Sequence, residues 1–449
     1  MPALVVAAAL AASLVPGQPA PRSIMQDETL LLRSGAQVRD SALDEMRALG
    51  VDTVRVVPIW RDHAAAPLAL RRPREPYPAG TFGALDGVLA AARVRGLDVL
   101  LTPTGPGPAW ASTCRGRPRA RQACSPSPAA YGRFVRELGR RYPDQRLWAV
   151  WNEPNVANWL TPQFDARGVP VSPGRYRSLV RAAARALAAT GHRADTLLIG
   201  EIASVGQTRR SPRTRVMAAE LFARRLLARR VPGTGFALHP YTTAAAGPVC
   251  ARGAPGQLPP ARLGRLRALL DRAGRRGVVR RRLGIWLTEA GFQTNPPDPI
   301  AGIALAAQAA RVNQLEWLAT HSRRVRSTAQ YLLLDDRRQA GFQSGLRFAS
   351  GAAKPALGAY RIPIWVQRRG RGADVWGRVR PAAALGAQRV ALQHRTRRWR
   401  TVRTLTTDAS GTVRARVRAR GGRWRLRWIT PGGRAATSRA AGVRRSCAA

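Results

Sequence analysis

The chain has 449 residues, of which 45% are apolar, enough for one large barrel with an appendage or for two to three domains. Its net charge is +50, from 75 basic and 25 acidic residues, and Lys354 is the only lysine. The chain contains no phosphate loop and no dinucleotide fingerprint, which argues against a cofactor-dependent enzyme, so we expect no cofactor.

The charge itself has two interpretations. It indicates either a surface for nucleic acid, anionic glycans or an anionic envelope, or the codon bias of a GC-rich genome, which inflates Arg, Ala, Gly and Pro together. We favour codon bias, because all four types are abundant and the arginines are spread along the chain. No nucleic-acid partner is expected, because the chain lacks a zinc finger or an aromatic ribonucleoprotein segment.

Residues 1–22 form a signal-like segment. The apolar run from Pro2 to Val15 is too short to span a bilayer and is typical of the hydrophobic part of a secretory signal. No basic residue precedes the run, and no clean Ala-x-Ala cleavage site follows it. We nevertheless expect the protein to be exported, either secreted or retained in the cell envelope. No other stretch is long and apolar enough for a membrane helix.

From about residue 27, short apolar runs alternate with longer amphipathic stretches, the pattern of βα units and a parallel sheet. A strand near Thr29–Leu32 is the first of eight. The other predicted strands are Val51–Trp60, Leu97–Thr102, Leu147–Glu153, Thr196–Ser204, Gly235–Thr242, Ile285–Glu289 and Thr328–Leu334. Helices are predicted between them, and a closing helix at Ala353–Tyr360. The sequence therefore predicts an α/β domain over residues 25–362.

Two carboxylates end predicted strands of this domain. Five apolar residues run into Asn152-Glu153-Pro154, and the strand should end at or before the proline because proline cannot donate to a ladder. Glu289 ends the seventh strand in the same way. A carboxylate is costly there unless it has partners or a function. Glycoside hydrolysis needs two carboxyl groups flanking the scissile bond, so the pair suggests that chemistry.

These features resemble the clan A glycoside hydrolases of the family 5 and family 39 groups, which are (β/α)8 barrels. The resemblance implies a retaining enzyme in which Glu153 is the acid/base and Glu289 is the nucleophile. It implies that Asn152 binds the sugar 2-hydroxyl and that Arg55, on the second strand, keeps the nucleophile ionised. His239 and Tyr241 resemble the groups that contact the sugar and the nucleophile.

The chain departs from this pattern at two strand ends. Many clan members carry a Trp after the eighth strand, where this chain has Tyr331 and three leucines, and a His after the third, where it has Thr102-Pro103-Thr104. The sugar platform is therefore expected from Trp60, Trp110 or Trp159. The alternative for each Trp is ordinary loop packing. A non-catalytic glycan- or wall-binding protein on the same barrel is the competing function, and both carboxylates argue against it.

Residues 366–449 predict a second, all-β domain. Long helical runs disappear, and from Thr412 to Arg420 apolar residues alternate with arginines, as in half-buried antiparallel strands. The segment holds 22 Arg and 2 Asp, a charge of +20 on 84 residues. It is similar to a fibronectin- or immunoglobulin-like β-sandwich. If its charge is functional, it would bind an anionic cell-envelope polymer.

The four cysteines allow three disulfide pairings. Cys114 and Cys124 lie ten residues apart in one long loop, Pro103–Pro128, and are the most plausible local pair, whereas Cys250 and Cys447 are distant in sequence. No Cys-x2-Cys or His-x3-His spacing appears, so no metal site is expected. The expected partner is a carbohydrate substrate, and nothing implies a stable protein partner.

Overall fold

The computed structural model describes residues 20–211, 213–242, 249–381, 385–418 and 421–444. Eight parallel strands close into a barrel. They are β1 (Arg22–Gln26), β2 (Thr53–Val56), β3 (Asp98–Leu101), β4 (Leu147–Ala149), β5 (Thr196–Ala203), β6 (Gly235–His239), β7 (Gly284–Leu287) and β8 (Val325–Tyr331). Their order around the barrel is β1-β8-β7-β6-β5-β4-β3-β2. The predicted fold class, a (β/α)8 barrel followed by a small all-β domain, is confirmed.

The first strand was predicted in the wrong place. It spans Arg22–Gln26 and pairs with both β2 and β8, whereas the predicted strand falls in the helix Glu28–Leu32. Asp27 begins that helix by accepting a hydrogen bond from the Leu30 amide, which satisfies one of its free N–H groups. The barrel thus begins at Arg22, inside the range expected for the signal-like segment. Residues 1–19 lie outside the described residues.

Helices surround the barrel. They are α1 (Glu28–Leu32), α2 (Ala36–Ala48), α3 (Gly83–Val94), α4 (Pro118–Arg121), α5 (Pro128–Arg141), α6 (Ser172–Ala188), α7 (Ala219–Leu226), α8 (Leu263–Arg275), α9 (Leu305–Thr320) and α10 (Pro355–Arg361). The barrel interior is filled by small and branched side chains, among them Ile24, Leu100, Leu147 and Leu198. None of the described helices is long and apolar enough to cross a membrane.

The described residues between Ile364 and Arg444 form two antiparallel sheets. Their strands are β9 (Ile364–Arg369), β10 (Gly372–Arg378), β11 (Arg389–Arg395), β12 (Trp399–Thr406), β13 (Thr412–Arg418), β14 (Arg423–Ile429) and β15 (Ala435–Thr437). One sheet has the order β9-β10-β13 and the other β12-β11-β14-β15. On β14, Trp424, Leu426 and Trp428 are buried while Arg423 and Arg427 are exposed, which is the predicted alternation.

The β domain is joined to the barrel by buried polar contacts. Arg380, 1% exposed, donates two hydrogen bonds to Glu316 of α9, at 3.0 and 2.5 Å, and one to the Tyr360 carbonyl. Asn313 of α9 accepts hydrogen bonds from the Ile364 amide and from the Arg439 guanidinium. The side chain of Arg380 also packs on the backbone of Gly50, just before β2, so this contact is at the amino-terminal face of the barrel.

Candidate active site

Five charged or titratable side chains meet at the carboxyl ends of the barrel strands, the face where barrel active sites are built. Arg55 lies in β2, Glu153 follows β4, Glu201 lies in β5, His239 ends β6 and Glu289 follows β7. Arg55, Glu201 and His239 are completely buried, and the two remaining carboxylates are partly exposed. Buried charges are tolerated only when they are paired, and here each one is.

The two predicted carboxylates are neighbours across the barrel mouth. Glu153, His239 and Glu289 each offer an atom within 4.8 Å of the others. In glycoside hydrolases whose second carboxylate attacks the sugar directly, the two carboxyl groups lie about 5–5.5 Å apart, whereas inverting pairs lie about 6.5–9.5 Å apart. The offered oxygens of Glu153 and Glu289, within 4.8 Å, lie nearer to the first of these spacings than to the second.

Arg55 links the groups of the site through hydrogen bonds. Its Nη1 donates to Glu289 at 3.0 Å, and its Nη2 donates to Glu201 at 2.6 Å and to Asn152 at 2.8 Å. Burial alone would lower the pKa of Arg55, but Glu201 and Glu289 outweigh burial and raise it. Nη1 also donates to Gln26 at 2.5 Å, so the guanidinium is held on both sides. Because Asn152 accepts through Oδ1, its Nδ2 points away from Arg55.

Tyr241 and His239 approach the carboxylates from the β6 side. The Tyr241 hydroxyl donates to Glu289 at 2.8 Å. His239 makes a 3.0 Å hydrogen bond to Glu153 through Nδ1 and a 2.9 Å bond to Glu201 through Nε2, while Glu289 is farther, at 3.8 Å. Burial alone would lower the pKa of His239, but Glu289, Glu153 and Glu201 together raise it to about 9. The direction of this pKa shift favours the imidazolium form of the ring at neutral pH.

Glu201 is a site residue that the sequence analysis missed. The β5–β6 register shifts between Ile199 and Ile202, and Gly200 and Glu201 have positive φ angles of +102° and +47°. This bulge turns the Glu201 side chain into the barrel mouth. Burial would raise the pKa of Glu201, but Arg55 and His239 outweigh it and lower it. The available signal was a lone carboxylate inside a predicted buried strand.

Glu28 was missed because the segment after β1 was predicted to be a strand. It is the first residue of α1 and accepts a 2.6 Å hydrogen bond from the Gln26 side chain. Burial raises the pKa of Glu28 to about 7, with Glu289 adding to the increase and Arg55 opposing it. Tyr331, at the end of β8, is electrostatically coupled to both Glu28 and Glu289, which raises its pKa further beyond the effect of burial. Both residues border the carboxylate cluster.

The three predicted sugar platforms differ in exposure. Trp60 is completely buried and stacks on Phe134 with ring centroids 5.9 Å apart, so it offers no face to a sugar and its prediction as a platform is wrong. It is part of the core between the barrel and α5. Trp110 packs edge-on against Trp60 and is half-buried, as is Trp159 in the loop that follows Glu153. Trp110 and Trp159 therefore retain accessible surface.

The predicted disulfide between Cys114 and Cys124 is confirmed, with Cα atoms 6.0 Å apart. It closes the loop after β3, which contains α4. The Ser125 amide donates to the carbonyl of Thr161, in the loop that follows Glu153. The disulfide-closed loop is thus attached to a loop of the catalytic face. Cys250 is also disulfide-bonded, and Cys447 lies outside the described residues.

Glu153, His239 and Glu289 are close enough to be considered as metal ligands. Their protonation fits a hydrogen-bonded cluster better than a metal centre. The raised pKa of His239 favours the imidazolium, which would donate from both nitrogens to carboxylates and has no lone pair for a cation. Arg55 supplies the second positive charge next to the carboxylates. Two cationic side chains thus already face the three carboxylates Glu153, Glu201 and Glu289.

A scan against protein-family models finds no match, and no curated protein matches the chain. Solved structures do match. A family 39 glycoside hydrolase from the gut symbiont Bacteroides cellulosilyticus has a TM-score of 0.52 and 14% identity, over 89% of this chain and 79% of that one. GH5_18 from Streptomyces cattleya, in complex with GlcNAc, has a TM-score of 0.51 and 19% identity, over 76% and 79%. These neighbours are clan A glycoside hydrolases, and the likeness establishes the shared barrel fold.

Proposed function

We propose that this protein is a retaining glycoside hydrolase that cleaves a β-linked poly- or oligosaccharide through a covalent glycosyl-enzyme. The observation that carries the proposal is the pair Glu153 and Glu289 at the barrel mouth, within 4.8 Å of each other and separately hydrogen-bonded. Glu289 accepts hydrogen bonds from Arg55 and Tyr241, which hold its carboxylate in place for attack on the anomeric carbon. Glu153 has His239 as its proton-bearing neighbour, which suits an acid/base.

Azide rescue separates the two roles. Glu289→Ala should lose nearly all turnover of aryl β-glycosides, and azide should restore it with an inverted product, because azide attacks from the vacated face. Glu153→Ala should still cleave activated aryl glycosides, whose leaving groups need no proton, and azide should accelerate it with retention. Swapped outcomes would reverse the assignment, and wild-type rates in both variants would refute the pair. A wild type that binds glycans without hydrolysis would indicate the non-catalytic alternative.

Export is part of the proposal. The disulfide between Cys114 and Cys124 supports it, because such bonds persist mainly in oxidising compartments outside the cytosol. Mass spectrometry of the mature protein from its native host, fractionated into medium, envelope and cytosol, tests it. Recovery of the protein in the cytosol with reduced cysteines would contradict export.

Although we favour codon bias for the charge as a whole, we propose one candidate surface through which the β domain would bind an anionic envelope polymer if its charge is functional. Arg414, Arg416 and Arg418 of β13 are exposed on alternating positions and form one row, in which Arg414 and Arg416 also pair with Asp408 and Asp374. The full chain should be retained on an anionic matrix at low salt and released as salt rises, because exposed charges are screened beyond about 8 Å at physiological salt. Replacing the three arginines by Ser should lower the eluting salt concentration. Unchanged elution would assign the charge to codon bias.

A further inference from the structure

The second carboxylate contact of His239 has no role in the mechanism given so far. Nδ1 of His239 contacts Glu153 at 3.0 Å, and Nε2 contacts Glu201 at 2.9 Å, so the ring bridges two carboxylates. Glu201 is completely buried, and the bulge at Gly200 and Glu201 fixes its direction. The Glu201 carbonyl also accepts a 2.8 Å hydrogen bond from the Glu153 amide, so the bulge positions the backbone of Glu153 as well.

We propose that Glu201 is a positioning residue for the acid/base: it holds His239 with Nδ1–H directed at Glu153, and His239 stores the proton that Glu153 delivers. The inference rests on the proposed glycosidase function and extends it to a third carboxylate. Arg55 donates to the same Glu201 oxygen that faces His239, so Glu201 fixes the relative positions of the two cations of the site.

The proton balance closes over one turnover. In the first half, Nδ1 of His239 passes its proton to Glu153, which donates it to the glycosidic oxygen, while the bond from that oxygen to the anomeric carbon breaks and Glu289 bonds to the carbon. In the second half, water gives its hydroxyl to the anomeric carbon and its proton to Glu153, and the bond to Glu289 breaks. Glu153 returns the proton to His239, which is again an imidazolium.

The charges around His239 favour the imidazolium form of its ring. Glu153, Glu201 and Glu289 all face it, Arg55 is separated from it by Glu201, and Tyr241 follows it on the same segment. Three negative neighbours stabilise the imidazolium, which agrees with the pKa of about 9. Replacing Glu201 by Gln removes one of these charges but keeps a side-chain oxygen of similar size. The pKa of His239 should then fall.

The test reads the imidazole directly. The chain has five histidines, so protein labelled with 15N-histidine gives a spectrum that His239→Gln can assign. In the wild type, both His239 ring nitrogens should be protonated at pH 7, with a titration midpoint near pH 9. In Glu201→Gln the midpoint should fall by one pH unit or more, a tenfold change in proton affinity. A wild-type ring that is neutral at pH 7, or a midpoint that does not move, would overturn the proposal.

Kinetics give a second readout and a matched control. The basic limb of kcat/KM against pH should move to lower pH in Glu201→Gln, because the stored proton is lost earlier. Glu316→Gln removes another buried carboxylate that is paired with an arginine, but at the barrel–β domain contact, and should leave the limb and the midpoint unchanged. If Glu201→Gln lowers kcat/KM equally at every pH and does not move the basic limb, Glu201 has only a structural role. The wild-type spectrum tests the proton's location even if the wild type hydrolyses no glycoside.

Discussion

Gly200 is the residue on which the geometry of the third carboxylate depends, and Gly200→Ala should disturb that geometry. An added Cβ would lie 2.7 Å from the Ala237 carbonyl oxygen and 2.9 Å from the Phe236 ring. A φ of +102° costs a residue with a side chain about 1–2 kcal/mol, and overpacking against backbone adds about 1–3 kcal/mol. The free energy of unfolding should therefore fall by about 2–5 kcal/mol.

Gly191 supplies the control for this substitution. Its φ is +93°, but no atom lies within 4 Å of the position that a Cβ would take. Gly191→Ala should therefore show the backbone cost alone, about 1–2 kcal/mol, in urea unfolding followed by circular dichroism. It should also keep wild-type kcat/KM on an aryl glycoside.

Gly200→Ala should lower kcat/KM by about 10²-fold, because relief of the contact displaces Glu201 and the Glu153 amide that bonds to it. If Gly200→Ala matches Gly191→Ala in both stability and activity, the bulge does not position the carboxylates, and Glu201 is not a positioning residue for Glu153.

Three further changes test other parts of the structure. Replacing Cys114 and Cys124 by Ser should lower stability by about 3 kcal/mol at most, because the bond closes a loop of only ten residues, and thermal unfolding with and without reductant measures this. Arg380→Met should cost about 3–5 kcal/mol, because Glu316 loses its two short hydrogen bonds in a buried site, and adding Glu316→Gln should recover part of the loss in urea unfolding. The pKa of His239 is raised, so protonation of His239 stabilises the fold fully below about pH 6.5, and this contribution is lost as pH rises through about 9. The difference in the free energy of unfolding between the wild type and His239→Gln should therefore shrink as pH rises over that range.

The sequence predicted those parts of the site that depend on strand ends. Apolar runs that stop at Asn152-Glu153-Pro154 and at Glu289 fix which residues emerge at the mouth, and the structure brings these residues together with Arg55, His239 and Tyr241. Their catalytic roles are still proposals. The apolar pattern of a strand is a local property of the sequence, so it located the strands β2 to β8. It failed at β1, where a five-residue strand and a five-residue helix follow one another closely.

The parts that were missed depend on nonlocal geometry. Glu201 points into the barrel mouth only because a bulge interrupts the pairing of β5 with β6. A register shift between two strands does not change the pattern of apolar residues in either strand, so the sequence of β5 alone does not reveal it. Trp60 looked like a surface aromatic at a strand end, but Phe134 of α5, more than seventy residues away, covers it. Burial of an aromatic side chain depends on which helix packs over it, and this cannot be read from its neighbours in the chain.

The contact between Arg380 and the turn before β2 puts the β domain and the active site at opposite ends of the barrel. The carboxylates open at the carboxyl ends of the strands, and the β domain meets the barrel at the opposite, amino-terminal face. If the exposed arginines hold an envelope polymer, the enzyme would stand on that polymer with its cleft facing outward. The domain that binds the polymer and the cleft would then lie at opposite ends of the barrel, so a glycan chain that reached both would have to pass around the barrel.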